Sequence, residues 1–163
     1  MSAADLLVPP PAARTLVLHP GDVVCADRGE RLETLLGSCV AVLMTDPRRT
    51  LGAMCHIVHC GASPSAASSP SAQGAGALRQ MFALLRARGI EPRLCEAWLM
   101  GGGNMFPGLY GGPHVGDANS HWVLAALADA GVCVLWQDVG GNTYRRVGWT
   151  VGEGEPDVVA VAV

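Results

Sequence analysis

The chain has 163 residues, of which 50% are hydrophobic and only 15% charged, enough for one substantial core and a length that favours a single domain. All 11 basic residues are arginines, against 14 acidic ones and a formal net charge of −3, which argues against a protein that grips nucleic acid by neutralising phosphates. No run approaches the ~18 apolar residues of a membrane span, so the expectation is a soluble, cytoplasmic protein without membrane insertion, its 6 cysteines mostly reduced.

Met1 to Ala13 reads as a flexible arm, because Pro9, Pro10 and Pro11 favour extended backbone. No basic segment precedes Leu6 and Leu7, so the arm does not resemble a signal peptide. Residues 14–163 are expected to form one domain. Thr15 to His19 and Asp22 to Ala26 read as two short strands, or a strand and a bend, around Pro20-Gly21. Thr34 to Leu36 leads into Gly37-Ser38-Cys39, and two apolar runs follow, Val40 to Thr45 and Thr50 to Val58, joined by Asp46-Pro47-Arg48-Arg49 in a hairpin signature. Gly61 to Gly76 is uncharged and rich in Ser, Ala, Pro and Gly, the composition of a mobile loop or lid. Leu78 to Arg88 has the periodicity of an amphipathic helix closed by Gly89, and Leu94 to Met100 reads as a buried strand. Gly101-Gly102-Gly103-Asn104 makes a tight loop, and Pro107 to Gly116 continues without regular structure. A second helix is expected from Ser120 to Ala130, then strands over Val132 to Asp138, Tyr144 to Val151 and Val158 to Val163. Mixed strands with two helices, rather than strict alternation, point to α+β layers.

The hairpin carries a geometric expectation. If Thr45 and Thr50 close a four-residue turn, Cys39 falls directly opposite His56, with Cβ atoms ~5 Å apart. A thiol beside an imidazole is the arrangement of nucleophilic cysteine catalysis: His takes the proton, the thiolate attacks, and His protonates the leaving amine. Gly37 and Ser38, with Gly102 from the glycine loop, are candidates to contact substrate or bind an oxyanion through backbone N–H groups. The same pattern also fits a buried thiol and a core imidazole in a strand pair covered on both faces.

In order along the chain stand Thr34-Leu35-Leu36-Gly37-Ser38-Cys39-Val40-Ala41-Val42, Asp46-Pro47, Gly52-Ala53-Met54 and His56. Gly101-Gly102-Gly103-Asn104-Met105-Phe106, Val115-Gly116, Asn119, Asp138-Val139-Gly140-Gly141-Asn142 and Arg145 follow. This series, from about residue 20 to the C-terminus, resembles the chemoreceptor glutamine deamidases, the CheD family. The resemblance implies a layered α/β/β/α sandwich with mixed β-sheets and two main helices. It further implies a Cys-His-Thr catalytic group, with Cys39 as nucleophile, His56 as general base and Thr34 as third member. The family's Thr stands six positions before the Cys, where this chain has Glu33, whereas Thr34 stands five before, so the third role falls to Thr34 or Glu33. The implied reaction hydrolyses glutamine side chains to glutamate on the cytoplasmic domain of methyl-accepting chemotaxis receptors. It needs no cofactor, and methyl-ester hydrolysis on the same receptors is open to the same thiolate. A CheC-type phosphatase is an implied partner.

Two further readings come from other classes. One is a non-catalytic chemotaxis adaptor that docks receptors or such a phosphatase. The other is a zinc protein built on Cys55, His56, His59 and Cys60. Strand alternation puts Cys55 and His59 on one face and His56 and Cys60 on the other, two ligands per face against the four of a closed zinc site, with Cys39 able to join His56 and Cys60 as a third. Gly101-Gly102-Gly103 lacks the spacing and following helix of a phosphate loop. Arg145, beside a Gly-Gly turn, is expected in a structural salt bridge, and His19, His114 and His121 as solvated or capping residues. Cys25, Cys95 and Cys133 read as core residues in strands.

Overall fold

A computed structural model describes residues 14–60, 70–109, 112 and 114–161. The expected arm, and most of the expected lid at 61–69, lie outside them. The strands are β1 (Thr15–Leu18), β2 (Val23–Asp27), β3 (Arg31–Leu36), β4 (Val40–Thr45), β5 (Leu51–Ile57), β6 (Glu96–Gly101), β7 (Cys133–Val139), β8 (Tyr144–Thr150) and β9 (Asp157–Val161). The helices are α1 (Gly74–Ala87) and α2 (Val115–Asp129).

Two mixed sheets form, a four-stranded one in the order β1-β3-β8-β9 and a five-stranded one in the order β2-β5-β4-β6-β7. The central strands β4 and β5 are buried along their whole length, which is why they read as near-continuous apolar runs and not as alternating ones. Even-numbered residues of β4 and odd-numbered ones of β5, such as Val42, Met44, Cys55 and Ile57, pack under the helices with Met81, Leu85, Val123 and Leu127. The opposite alternation, Ala41, Leu43 and Met54, packs against the second sheet through Leu32, Leu36, Val147 and Trp149. Trp98 and Trp149 meet there at 5.3 Å between ring centroids.

The α+β class, the mixed sheets and the two main helices are as expected. Both helices, however, share one apolar cluster on the five-stranded sheet. The layers therefore run helices, five-stranded sheet, four-stranded sheet, and among the described residues no helix covers the far face of the four-stranded sheet.

Three local expectations change. The β4–β5 ladder ends on Thr45 with Gly52, so the connection is longer than the expected four residues and the register moves by two. Asp46 explains the extra length: its carboxylate accepts from the Thr50 and Leu51 amides at 2.8 and 3.0 Å and from the Thr50 hydroxyl at 2.7 Å. The stretch expected to be loop up to Gly76 ends in a short helical turn, Pro70–Ala72, and α1 already begins at Gly74. Finally, α2 starts at Val115 because His114 caps it, its Nδ1 accepting from the Gly116 amide at 3.1 Å while Nε2 faces Asp117 at 3.2 Å.

Candidate active site

The parallel pairing of β1 with β3 sets Leu18 beside Thr34 and brings the buried Thr34 hydroxyl to His56. Thr34 Oγ1 donates to the Leu18 carbonyl at 2.9 Å and lies 2.8 Å from His56 Nδ1. A hydroxyl has a single proton. Since that proton goes to Leu18, Nδ1 must carry the hydrogen of the second bond, which leaves Nε2 with a free lone pair. This tautomer is assigned from the bonding pattern. Nε2 is buried and finds no partner among the described residues. His56 is only 2% exposed, and burial drives its pKa down from 6.5 to about 4, against the pull of Asp22 and with the help of His19. The imidazole is neutral at neutral pH.

Cys39 stands one step before the last β4–β5 pair, Val40 with Ile57, and so faces Val58 instead of His56. A shift of two keeps the side chain on the same face. Cys39 packs on the cluster between the sheets, as Ala41 does, and Ala41 is the direct partner of His56. The thiol and imidazole are thus diagonal neighbours, with Cβ atoms about 7 Å apart in such geometry. They form no hydrogen bond at rest. Burial pushes the Cys39 thiol pKa up, and its own backbone amide works in the opposite direction.

The segment before Cys39 is tied down by its carbonyls. Gly103 N–H donates to Gly37 at 2.9 Å, Gly102 N–H to Cys39 at 2.9 Å, and the Asn119 side-chain amide to Ser38 at 3.1 Å. Gly101 has φ +115°, and a Cβ there would collide with the Cys39 carbonyl oxygen, so only glycine lets β6 end this close. Arg145, 6% exposed, fixes the same corner by donating to the Gly101 carbonyl and to Asp138, both at 3.2 Å. Cys39 opens onto a cleft of about 790 Å³ walled by Met105, Phe106, His114, Val115 and Tyr144. His56 is not among the described residues that line it and is buried opposite Ala41.

Comparison with known proteins shows the family of the chain. A chain described as a probable chemoreceptor glutamine deamidase CheD 2, from Albidiferax ferrireducens, is 33% identical over 144 residues, 86% of this chain and 83% of that one. The family model for CheD chemotactic sensory transduction matches residues 61–159. The chain belongs to the CheD family. Another member, a probable chemoreceptor glutamine deamidase CheD from Pseudomonas savastanoi pv. phaseolicola, is 34% identical over 85% of this chain and 80% of its own. Among solved structures, the Neisseria meningitidis protein NMB0706, of family DUF152, matches with a TM-score of 0.49 and 15% identity over 80% of this chain and 65% of that one.

Within this CheD-family site, the structure brings Thr34 to the imidazole and leaves Glu33 away from it. Glu33 points outward and pairs with Arg31 at 2.7 Å. Gly102 was expected to offer its amide to substrate, but that N–H is spent on the Cys39 carbonyl. The grouping of Cys39, His56 and Cys60 weighed for the zinc alternative does not form among the described residues. The chain leaves the strand after Ile57, and Cys60 turns to the helical side with Cys55, where burial drives both thiols up to about 12. Among the described residues no three His, Cys, Asp or Glu side chains gather as metal ligands. His19 and His121 are exposed, and Cys133 is exposed rather than core.

Two parts of the site had no signal in the sequence. The Leu18 carbonyl reaches Thr34 through a parallel pairing of strands with β2 between them in the chain, and no local pattern reports such a pairing. The described cleft walls come from 103–106, from His114 and the start of α2, and from Tyr144, which lie far apart in the sequence.

Proposed function

We propose that this CheD-family chain is a cytoplasmic protein-glutamine glutaminase acting on chemotaxis receptors, with Cys39, His56 and Thr34 as its catalytic group. The observation that carries the reading is the Thr34–His56 bond, which leaves a bare, buried Nε2 on the same face as a thiol that opens onto a cleft. The names of the relatives supply the substrate class, chemoreceptor glutamine.

In this reaction His56 Nε2 accepts the Cys39 proton as the sulfur attacks the side-chain amide carbon. Charge on the amide oxygen is met by backbone N–H groups at Ser38 and Cys39. Collapse of the tetrahedral intermediate breaks the C–N bond, and the proton on Nε2 leaves with ammonia. A water molecule, deprotonated by the same nitrogen, then cleaves the thioester to give glutamate and free thiol. The neutral imidazole leaves Nε2 free to take a proton in each half. The cleft lining contains no Asp, Glu, Lys or Arg among the described residues, in keeping with apolar docking of a receptor helix. Receptor methyl esters are open to the same attack, with methanol as the leaving group. A CheC-type phosphatase fits the proposal as a further partner.

The test is mass spectrometry of a receptor cytoplasmic domain incubated with the chain. Each conversion adds ~1 Da, and the Cys39→Ala variant is expected to add none, because no nucleophile remains. Conversion by Cys39→Ala at the wild-type rate would remove the thiol mechanism, and no conversion by the wild-type chain would favour the adaptor.

A further inference from the structure

Asn119 stands on the first turns of α2, is 1% exposed, and lies outside the Cys-His-Thr group. Both hydrogens of its side-chain amide are used, one on the Ser38 carbonyl and one on the Val58 carbonyl, each at 3.1 Å. These two carbonyls sit where β4 and β5 part, just beyond their last ladder pair. Asn119 therefore continues the ladder with a side chain in place of a strand, and it ties the residue before the nucleophile to the strand that carries the base.

The Ser38 bond has a directional consequence. In a trans peptide the C=O and the next N–H point opposite ways. The Ser38 carbonyl is held by the Asn119 amide, so the Cys39 N–H of the same peptide points the opposite way, away from that amide, while Cys39 itself lines the cleft. The same amide acts on its own sulfur, which lines the cleft.

We propose that Asn119 is a positioning residue for the reaction: by holding the Ser38 carbonyl it aims the Cys39 N–H at the place where the oxyanion forms. This rests on the deamidase reading above. It assigns Asn119 no contact with substrate and no proton to transfer.

The test compares Asn119→Ala with the wild-type chain in two reactions. Glutamine turnover builds an oxyanion, while alkylation of Cys39 by iodoacetamide needs the thiol but no oxyanion. The expected result is a kcat lower by about 10²- to 10³-fold, the usual loss of an oxyanion donor, with KM little changed and the alkylation rate within about threefold of wild type. A kcat within about threefold of wild type would overturn the assignment, and so would alkylation falling in step with turnover, which would make Asn119 only a staple of the fold. If the alanine variant does not fold, Asn119→Ser, which keeps one donor, is read by the same two rates. If neither folds, the wild-type chain decides through an aldehyde analogue of glutamine that adds to Cys39: the Cys39 amide proton is expected to move downfield in NMR, and an unmoved proton overturns the assignment. Cys39→Ala runs in the same turnover assay. Turnover by that variant defeats the deamidase reading itself, whereas an inert Cys39→Ala beside an unaffected Asn119→Ala defeats the positioning role alone.

Discussion

At the scale of single residues, the site depends on one proton being in one place. Thr34 gives its hydrogen to Leu18 and thereby obliges His56 to present a bare Nε2. Thr34→Val removes that constraint at nearly constant volume and frees the ring to put its proton on either nitrogen. The expected outcome is a fall in kcat of about 10- to 100-fold, matching the 1–3 kcal/mol of an unsatisfied buried polar group, with KM nearly unchanged. Steady-state turnover checks this, and Thr34→Ser should recover most of the loss. The same ring makes stability depend on pH. Its folded pKa of about 4 lies below the ordinary 6.5, so the unfolded chain binds the proton more readily. The stabilisation that keeps His56 neutral is complete above pH 6.5 and is lost as pH falls toward 4. Urea unfolding should record a loss of roughly 2–3 kcal/mol over that window from this group, absent from His56→Gln. The choice between Thr34 and Glu33 was legible once β3 is read as a strand from Arg31. Leu32, Thr34 and Leu36 then alternate inward, and Arg31, Glu33 and Leu35 outward.

At the scale of elements, the hairpin and the glycine corner decide where the thiol sits. The sequence signature Asp46-Pro47 marked the turn correctly, but its length was hidden in side-chain bonds from Asp46 that reach as far as Leu51. Because the resulting slip was of two residues, the face assigned to Cys39 and His56 survived, while the pairing did not. A slip of one would have separated them. The start of α2 was missed for a related reason: its cap is a histidine, a residue seldom used as a cap, ahead of a glycine. The corner at Gly101 offers a direct test. Gly101→Ala forces a side chain into a left-handed backbone and against the Cys39 carbonyl. Thermal or urea unfolding should find it less stable by about 1–3 kcal/mol, and its turnover should fall by more than stability alone explains, because the displaced atom belongs to the nucleophile's own peptide. Wild-type stability in that variant would mean that the corner yields without strain.

At the scale of the whole molecule, the layers divide the labour. The helical layer holds the backbone before Cys39 through Asn119, the four-stranded sheet holds the His56 ring through Thr34, and the five-stranded sheet between them carries both Cys39 and His56 at its end. Composition anticipated a single low-charge core, and the structure adds that the cleft itself is free of acidic and basic side chains apart from His114 among the described residues. Which helices flank which sheet was not legible, since the amphipathic stripes of α1 and α2 fit either side of a buried sheet and only tertiary packing sets them on the same one. The central claim is that Cys39 forms the covalent intermediate. Its most direct test is rapid acid quench of the wild-type chain during turnover of a receptor domain or glutamine peptide, followed by peptide mass mapping. The account predicts an acyl adduct on the peptide holding Cys39, lighter than the sum of the partners by one ammonia and formed before glutamate is released. Glutamate production with no adduct on that peptide, or with the adduct on another residue, would contradict it.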